Sequence, residues 1–299
     1  MLPAMARAMV LCAGFGTRLR PLTDELPKPL LPLGDRSLIE HALAALAGAE
    51  LGAEVVINVH YLAAAFERRL AELPAGLQIV HERSILGTAG GIANARGRLG
   101  PAPVVVMIGD AVLAGVPREL AQAARAGGMV LAVAPRAAGS GSVGLGESGE
   151  IVRLRGERFG IEVAGGEYVG VMALGQRALD ELPELGCYIG DYALPLLRRG
   201  GRVDSFAYTE RVWFAGDDLP GYLAANLSWL AQQPEPARFV ARDADVAAGV
   251  ELEQALVGRR ARVRGRGRLA RVIVFPGAEA EAPLADAIVL PSGRVVEVR

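Results

Sequence analysis

Five short apolar runs, Ala8–Cys12, Glu54–Val59, Leu77–Val80, Val104–Ile108 and Met129–Ala134, open this chain. Between them, Leu38–Ala49, Leu62–Leu73, Ala89–Arg96 and Pro117–Ala126 carry apolar residues at helical spacing, and Ser37 is placed to cap the first. Strands alternating with helices predict an α/β fold built on a Rossmann-like, doubly wound, mostly parallel sheet. Ligands of such sheets bind beyond the carboxyl ends of the strands, so the residues just after each run are the first to search for function.

The texture changes further along. Ser140–Gly146, Ile151–Leu154, Ile161–Val163 and Glu167–Leu174 read as short, Gly-punctuated β segments, and helices return near 190–198 and 219–231. Gln232-Gln-Pro-Glu-Pro-Ala has linker composition. Beyond it Val257, Val263, Leu269 and Phe275 recur every sixth residue, and Val240, Val246 and Leu252 form a second series. A hexapeptide period is the mark of a β-helix, here of about three coils. The repeat is degenerate at Glu281–Ser292, which leaves an irregular β appendage as the alternative. The expected division is a domain at 1–231 and a smaller one at 237–299.

Bulk properties exclude several classes. A net charge of -1 over 299 residues gives no basic footprint for nucleic acid. Two cysteines, Cys12 and Cys187, show no metal-ligand spacing and suit a reducing compartment. No apolar run is long enough to span a membrane, and residues 1–13 lack the parts of a signal peptide. The expectation is a soluble, cytoplasmic protein with neither nucleic-acid nor membrane partners.

Chemistry concentrates after the first strand. Of 32 Lys and Arg residues only Lys28 is lysine, and it follows the Gly-rich turn Gly14-Phe-Gly-Thr-Arg18. Glycines there let backbone N–H groups approach a polyphosphate. Arg18 offers a fork for phosphate oxygens, and Lys28 a compact point charge that Arg cannot reproduce. A statistical leftover is the alternative for Lys28. The turn is neither a dinucleotide fingerprint, since Leu19 stands at the third Gly, nor a Walker A loop. Asp110, at the end of the fourth run, suits Mg²⁺, which takes one or two carboxylates plus substrate phosphates; a helix cap is the alternative. In Glu82-Arg-Ser-Ile-Leu-Gly-Thr-Ala-Gly-Gly91 small residues would let a flat base lie against backbone, or simply start a helix. His41, His60 and His81 have no partner at ligand spacing, and no nucleophile triad is visible.

In this order the elements resemble the sugar-1-phosphate nucleotidyltransferases, whose signature Leu-x-x-Gly-x-Gly-Thr-Arg, Pro-Leu-Thr, Pro-Lys runs here from Leu11 to Lys28. The match continues through Leu86-Gly-Thr-Ala-Gly, Ile108-Gly-Asp110, Tyr168-Val-Gly170 and Trp213 to Asn226, and suits the mannose-1-phosphate guanylyltransferase-like and N-acetylmuramate-1-phosphate uridylyltransferase-like branches. The resemblance implies transfer of a nucleoside monophosphate from an NTP to a sugar-1-phosphate, with Mg²⁺ and without a general base. It assigns catalysis to Arg18 and Lys28. Nucleotide contacts fall to Leu11, Ala13, Gly14, Gly16, Thr17, Glu82, Gly87 and Thr88, and sugar-phosphate contacts to Glu167, Gly170 and Asp191. Metal ligation falls to Asp110, with Asp217 or Asp218. It also implies a left-handed β-helix at the C-terminus; about three coils would leave open ends and apolar flanks for neighbours to cover, so homo-oligomers formed through this segment are expected. Two residues depart from the pattern: Ala215 stands where the second metal-binding Asp belongs, and a family lysine is missing near Arg155 and Arg158. Ala215 motivates a second reading, a catalytically silent nucleotide-sugar-binding subunit. A kinase or dehydrogenase fails on the motif details.

Overall fold

The computed structural model describes residues 7–48, 54–70, 77–214 and 216–298. Its contacts divide the chain into two compact units, residues 1–14 with 42–212 and residues 15–41 with 213–299. This division differs from the expected break at 231–237. The signature segment and the late helix share a unit with the C-terminal β segment, because their side chains pack there.

The first unit is built on a sheet whose parallel strands are β1 (Arg7–Leu11), β2 (Val55–Val59), β3 (Leu77–His81) and β4 (Val104–Ile108), in the order β3-β2-β1-β4. All five residues of β2 are buried, which is why this strand reads as an unbroken apolar run rather than an alternating one. β5 (Met129–Arg136) points the same way, but β6 (Ala164–Leu174) lies antiparallel between it and β4. The predicted mostly parallel sheet therefore holds for these strands, with β6 reversed among them; Ile151–Leu154, further out in the same sheet, is reversed as well. Ile161–Val163, expected as β, is not a strand; Glu157–Arg158 pairs with Ile151–Leu154 instead.

Among the helices, α1 (Leu38–Gly48) begins after Ser37, whose backbone N–H and hydroxyl both donate to the Glu40 carboxylate. This is the reciprocal half of a capping box. The expected helix Leu62–Leu73 is observed as Ala63–Leu70, with its last residues outside the described ones. α2 (Gly87–Leu99) buries Ala89, Ile92, Ala95 and Leu99 at helical spacing and packs against β1 and β2. The expected helix at 190–198 is a wide π turn, Tyr188–Ala193, running into Leu194–Arg198. No described helix is long and apolar enough to cross a membrane.

In the second unit the strands between residues 238 and 289 stack as parallel rungs, and the last strand, Val295–Glu297, pairs antiparallel with Glu279–Val289. Arg238 pairs with Ala255, Leu256 with Ile273 and Arg262 with Glu279. The series Val257, Val263, Leu269 and Phe275 is fully buried at 0% exposure each, so the six-residue period marks the inward face. Val240, at the first rung, is 38% exposed because no rung lies beyond it among the described residues. The arginines of strand Arg262–Val274 meet acids on neighbouring rungs, Arg262 with Glu279, Arg264 with Asp245 and Arg268 with Glu253. These pairs are exposed, so solvent screening leaves each of them weak. Helix α3 (Leu219–Leu230) lies on this stack, Tyr222 meeting Phe275 edge-on at 6.3 Å and Trp229 meeting Phe239 at 5.4 Å.

Candidate active site

Within the second unit the phosphate-loop residues are held by tight local geometry. Gly16 has φ +63°, and a Cβ there would lie 2.8 Å from Thr23 Cγ2 and 3.2 Å from Lys28 Cβ. Only glycine suits both the left-handed backbone and the space. Buried Thr23 donates its hydroxyl to Gly16 O at 2.9 Å, tying the turn to the next helix. Thr17 opens a single 3₁₀ turn, Thr17–Leu19, that directs Arg18 outward while Leu19 is buried. Lys28 sits between two prolines at the start of a second 3₁₀ turn. Arg18 Nη1 lies 2.9 Å from Asp217 Oδ2, and Lys28 Nζ lies 3.5 Å from Asp217 Oδ1. One carboxylate thus takes both cations. Asp218 is the N-cap of α3, accepting from Gly221 N at 2.8 Å. Ala215 lies outside the described residues.

In the first unit a buried polar chain ties three strand ends together. Cys12 N donates to Asn58 Oδ1 at 2.9 Å, Asn58 Nδ2 donates to Glu82 Oε1 at 2.6 Å, and Leu86 N donates to Glu82 Oε2 at 3.1 Å. The start of the Gly-rich turn, the end of β2, the residue after β3 and the start of α2 are thereby fixed to one another. Leu11 O accepts from Gly109 N at 3.0 Å, setting the register beside Asp110. Ala13 is buried, while a Cβ on Gly14 would meet nothing within 4 Å.

The glycines of α2 have a packing reason. A Cβ on Gly87 would lie 2.4 Å from Gly186 O, one on Gly90 2.4 Å from Glu184 O, and one on Gly91 2.6 Å from Asn58 Nδ2. At Gly87 and Gly90 the neighbour is the chain's own backbone, so both positions need glycine for packing. Ala89 N and Gly186 N complete the contact with bonds to Gly186 O and Leu86 O. Thr88 Oγ1 accepts from Tyr188 N at 3.1 Å.

Around Tyr188 the remaining sequence candidates gather. Tyr168 and Tyr188 hydroxyls lie 3.1 Å apart, and burial, followed by smaller charge effects that include Asp110, pushes the Tyr188 phenol up to about 12. Burial chiefly, and the Asp110 charge secondarily, raise the Cys12 thiol far above its ordinary range. Asp191 Oδ2 accepts from Cys187 N at 2.7 Å, closing the π turn. Burial raises the Cys187 thiol, but the Gly190 and Ile189 N–H groups, the Thr88 hydroxyl and the Arg155 charge outweigh it and bring it below its usual value. Glu167 Oε2 accepts from Ser142 N at 3.1 Å. Gly170 has φ +82° in the irregular part of β6, where a Cβ would strike Ile108 Cδ1 at 2.5 Å.

Which groups suit a divalent cation is decided by these contacts. Asp110, half-buried after β4, is a hard oxygen donor of the kind Mg²⁺ takes singly when substrate phosphates supply the rest. Asp217 is engaged by two cations and Asp218 by a helix end. Among the described residues no three His, Cys, Asp or Glu side chains form a group able to hold a metal.

A family model for nucleotidyl transferases matches residues 7–154. The chain belongs to the sugar-1-phosphate nucleotidyltransferase family. It is 44% identical over 118 residues to mannose-1-phosphate guanylyltransferase of Mycobacterium tuberculosis, covering 38% of this chain and 32% of that protein. It is 42% identical over 111 residues to N-acetylmuramate alpha-1-phosphate uridylyltransferase of Caulobacter vibrioides, covering 35% and 46%. The chain thus spans less than half the length of these relatives. The crystal structure of HddC from Yersinia pseudotuberculosis shares the fold, with a TM-score of 0.62 and 17% identity over 75% of this chain and all of that one.

Asn58 and Thr23 were missed by the sequence reading. An Asn inside the apolar run Val-Val-Ile-Asn-Val was the available signal for the first, and the Pro-Leu-Thr of the signature for the second.

Proposed function

We propose that this protein transfers a nucleoside monophosphate from an NTP to a sugar-1-phosphate, with a mannose-1-phosphate guanylyltransferase-like substrate pair as the first choice. The observation that carries this reading is the pair Arg18 and Lys28, directed from a Gly-pinned turn onto one carboxylate. Two cations that meet on one anion are arranged for a polyphosphate. A phosphate oxygen of the sugar phosphate attacks the α-phosphorus, the bond from that phosphorus to the oxygen bridging to the β-phosphorus breaks, and pyrophosphate leaves with the electron pair. The nucleophile is already an anion, so no base is required and catalysis rests on positioning and charge neutralisation.

Arg18 and Lys28 neutralise charge on the transferring phosphate. Backbone at Gly14, Gly16 and Thr17 takes phosphate oxygens, and the open space at Gly14 supports this assignment. Leu11, Ala13, Glu82, Gly87 and Thr88 are assigned to the nucleoside, and Glu167, Gly170 and Asp191 to the sugar phosphate. Asp110 would hold Mg²⁺, with Asp217 as a further candidate and Asp218 reserved for its helix. A bound Mg²⁺ would supply neutralising charge to the phosphates. The C-terminal rungs are assigned to a left-handed β-helix that mediates self-association; their parallel register supports the coil.

The silent-subunit reading draws on Asp217 and Asp218 being engaged elsewhere. One experiment separates the two readings: a matrix of five NTPs against several sugar-1-phosphates, with pyrophosphate release measured. Turnover with any pair supports the enzyme and names its substrates. Nucleotide-sugar binding with no release across the matrix would replace it with the silent subunit.

A further inference from the structure

Asp217 stands where an incoming anion would be expected to stand. Its two oxygens each take one of the cations of the phosphate turn, at 2.9 Å from Arg18 and 3.5 Å from Lys28. The Lys28 side chain is only 14% exposed, while Asp217 is 63% exposed and Arg18 70%. The lysine is therefore the fixed partner, and the carboxylate is the one open to replacement. Asp217 follows Gly216, whose φ of +81° lets the chain turn sharply before the capped start of α3. The carboxylate is presented from a bend with side-chain freedom, whereas Gly16 and Thr23 hold the backbone around Lys28.

We infer that Asp217 is an internal stand-in for substrate phosphate: it keeps Arg18 and Lys28 aligned on one point, and polyphosphate displaces it. This rests on the reading of Arg18 and Lys28 as the phosphate cations and goes beyond it by giving Asp217 a positioning and competing role. The group displaced is a carboxylate, so the ligand class that competes with it is a compact polyanion, a pyrophosphate or the triphosphate of a nucleotide. An exposed ion pair is weak. The displacement therefore opposes binding modestly while avoiding the repulsion of two cations left close together.

The test is binding of pyrophosphate to the full-length protein by calorimetry, at low salt and with a chelator present to exclude metal. Asp217→Asn keeps the shape and removes the competing charge. It should bind about twofold to fivefold more tightly than the parent, the upper part of the range that exposed ion pairs span. Asp24→Asn is the charge-matched control, since Asp24 lies in the same segment but pairs with Arg20 at 3.2 Å. It should tighten binding less than about twofold. Equal gains in the two variants would reduce the effect to net charge and overturn the inference. So would unchanged or weaker binding in Asp217→Asn while Lys28→Gln abolishes it, which would leave the phosphate-cation reading standing. No binding to the parent or to Asp217→Asn would instead remove the phosphate site itself, and the inference with it.

Discussion

Asn58 Nδ2 donates to Glu82 Oε1 at 2.6 Å, with both side chains buried. Through Asn58 Oδ1 and Glu82 Oε2 this pair also takes the N–H groups of Cys12 and Leu86. It is the joint that sets the residue after β1 against the start of α2. Asn58→Ala would strand Glu82 Oε1 and the Cys12 N–H in the interior, at a cost of about 2–4 kcal/mol. Urea unfolding should show the midpoint falling with little change in slope. A loss below about 1 kcal/mol would mean that water or a neighbour replaces the amide, and the joint would not hold the strand ends.

Gly16→Ala tests the turn directly. Its φ of +63° costs a Cβ-bearing residue about 1–2 kcal/mol, and the 2.8 Å approach to Thr23 Cγ2 adds overlap. The variant should be less stable by at least that amount and should bind pyrophosphate more weakly, because Lys28 Cβ is the second neighbour. Parent-like stability and binding would show that the turn relaxes freely and that its glycine is not required.

How much of this was legible follows the range of the interactions. The strands were readable because each is a local apolar run, and the sixfold series from Val257 to Phe275 because its period reports the inward face. Glu82 stood out in the sequence, but its meaning did not, since Asn58 lies on another strand, 24 residues away. Gly87 and Gly90 were read as clearance for a ligand. They also meet Gly186 O and Glu184 O, about a hundred residues on, and no local pattern announces such a partner. Arg18 and Lys28 were visible as cations, whereas the carboxylate they share was expected only as a metal ligand.

Lys28→Arg should lower turnover by about 10²–10³ although charge is kept, because a planar fork cannot occupy a point-charge position held at 14% exposure. Steady-state kinetics on the active substrate pair would measure it, with circular dichroism confirming the fold. Turnover within about threefold of the parent would show that any cation suffices there.

Glu162 gives a pH signature. Arg153 donates to both of its oxygens, at 2.9 and 3.1 Å, and Gly139 N donates at 2.7 Å. These bonds, the Arg153 pairing foremost, bring its carboxyl from the ordinary 4.5 down to about 2. A carboxyl lowered in the folded state stabilises the fold fully above the unfolded value, and the contribution fades as pH falls through the folded one. The melting-temperature gap between the parent and Glu162→Gln should therefore be steady above about pH 5 and close between about 4.5 and 2. A gap that does not vary with pH would show that the clip acts by shape alone.

Deleting residues 236–299 would remove the rungs that cover α3. Phe275 covers Tyr222, which is fully buried and donates its hydroxyl to Pro32 O, while Phe239 meets Trp229. Asn226, buried on the same helix, accepts from Gly34 N at 2.9 Å. The helix that supports the Pro32–Ser37 hairpin thus takes its apolar cover from the rungs. Ser292 adds a bond from its hydroxyl to Glu25 Oε1 at 2.5 Å, close in sequence to Lys28. Truncation should uncover this face, lower the melting temperature by several degrees and promote aggregation, instead of yielding a well-folded monomer. Light scattering with circular dichroism would measure both. A monodisperse truncated protein with parent-like stability would show that α3 and the hairpin stand without the rungs.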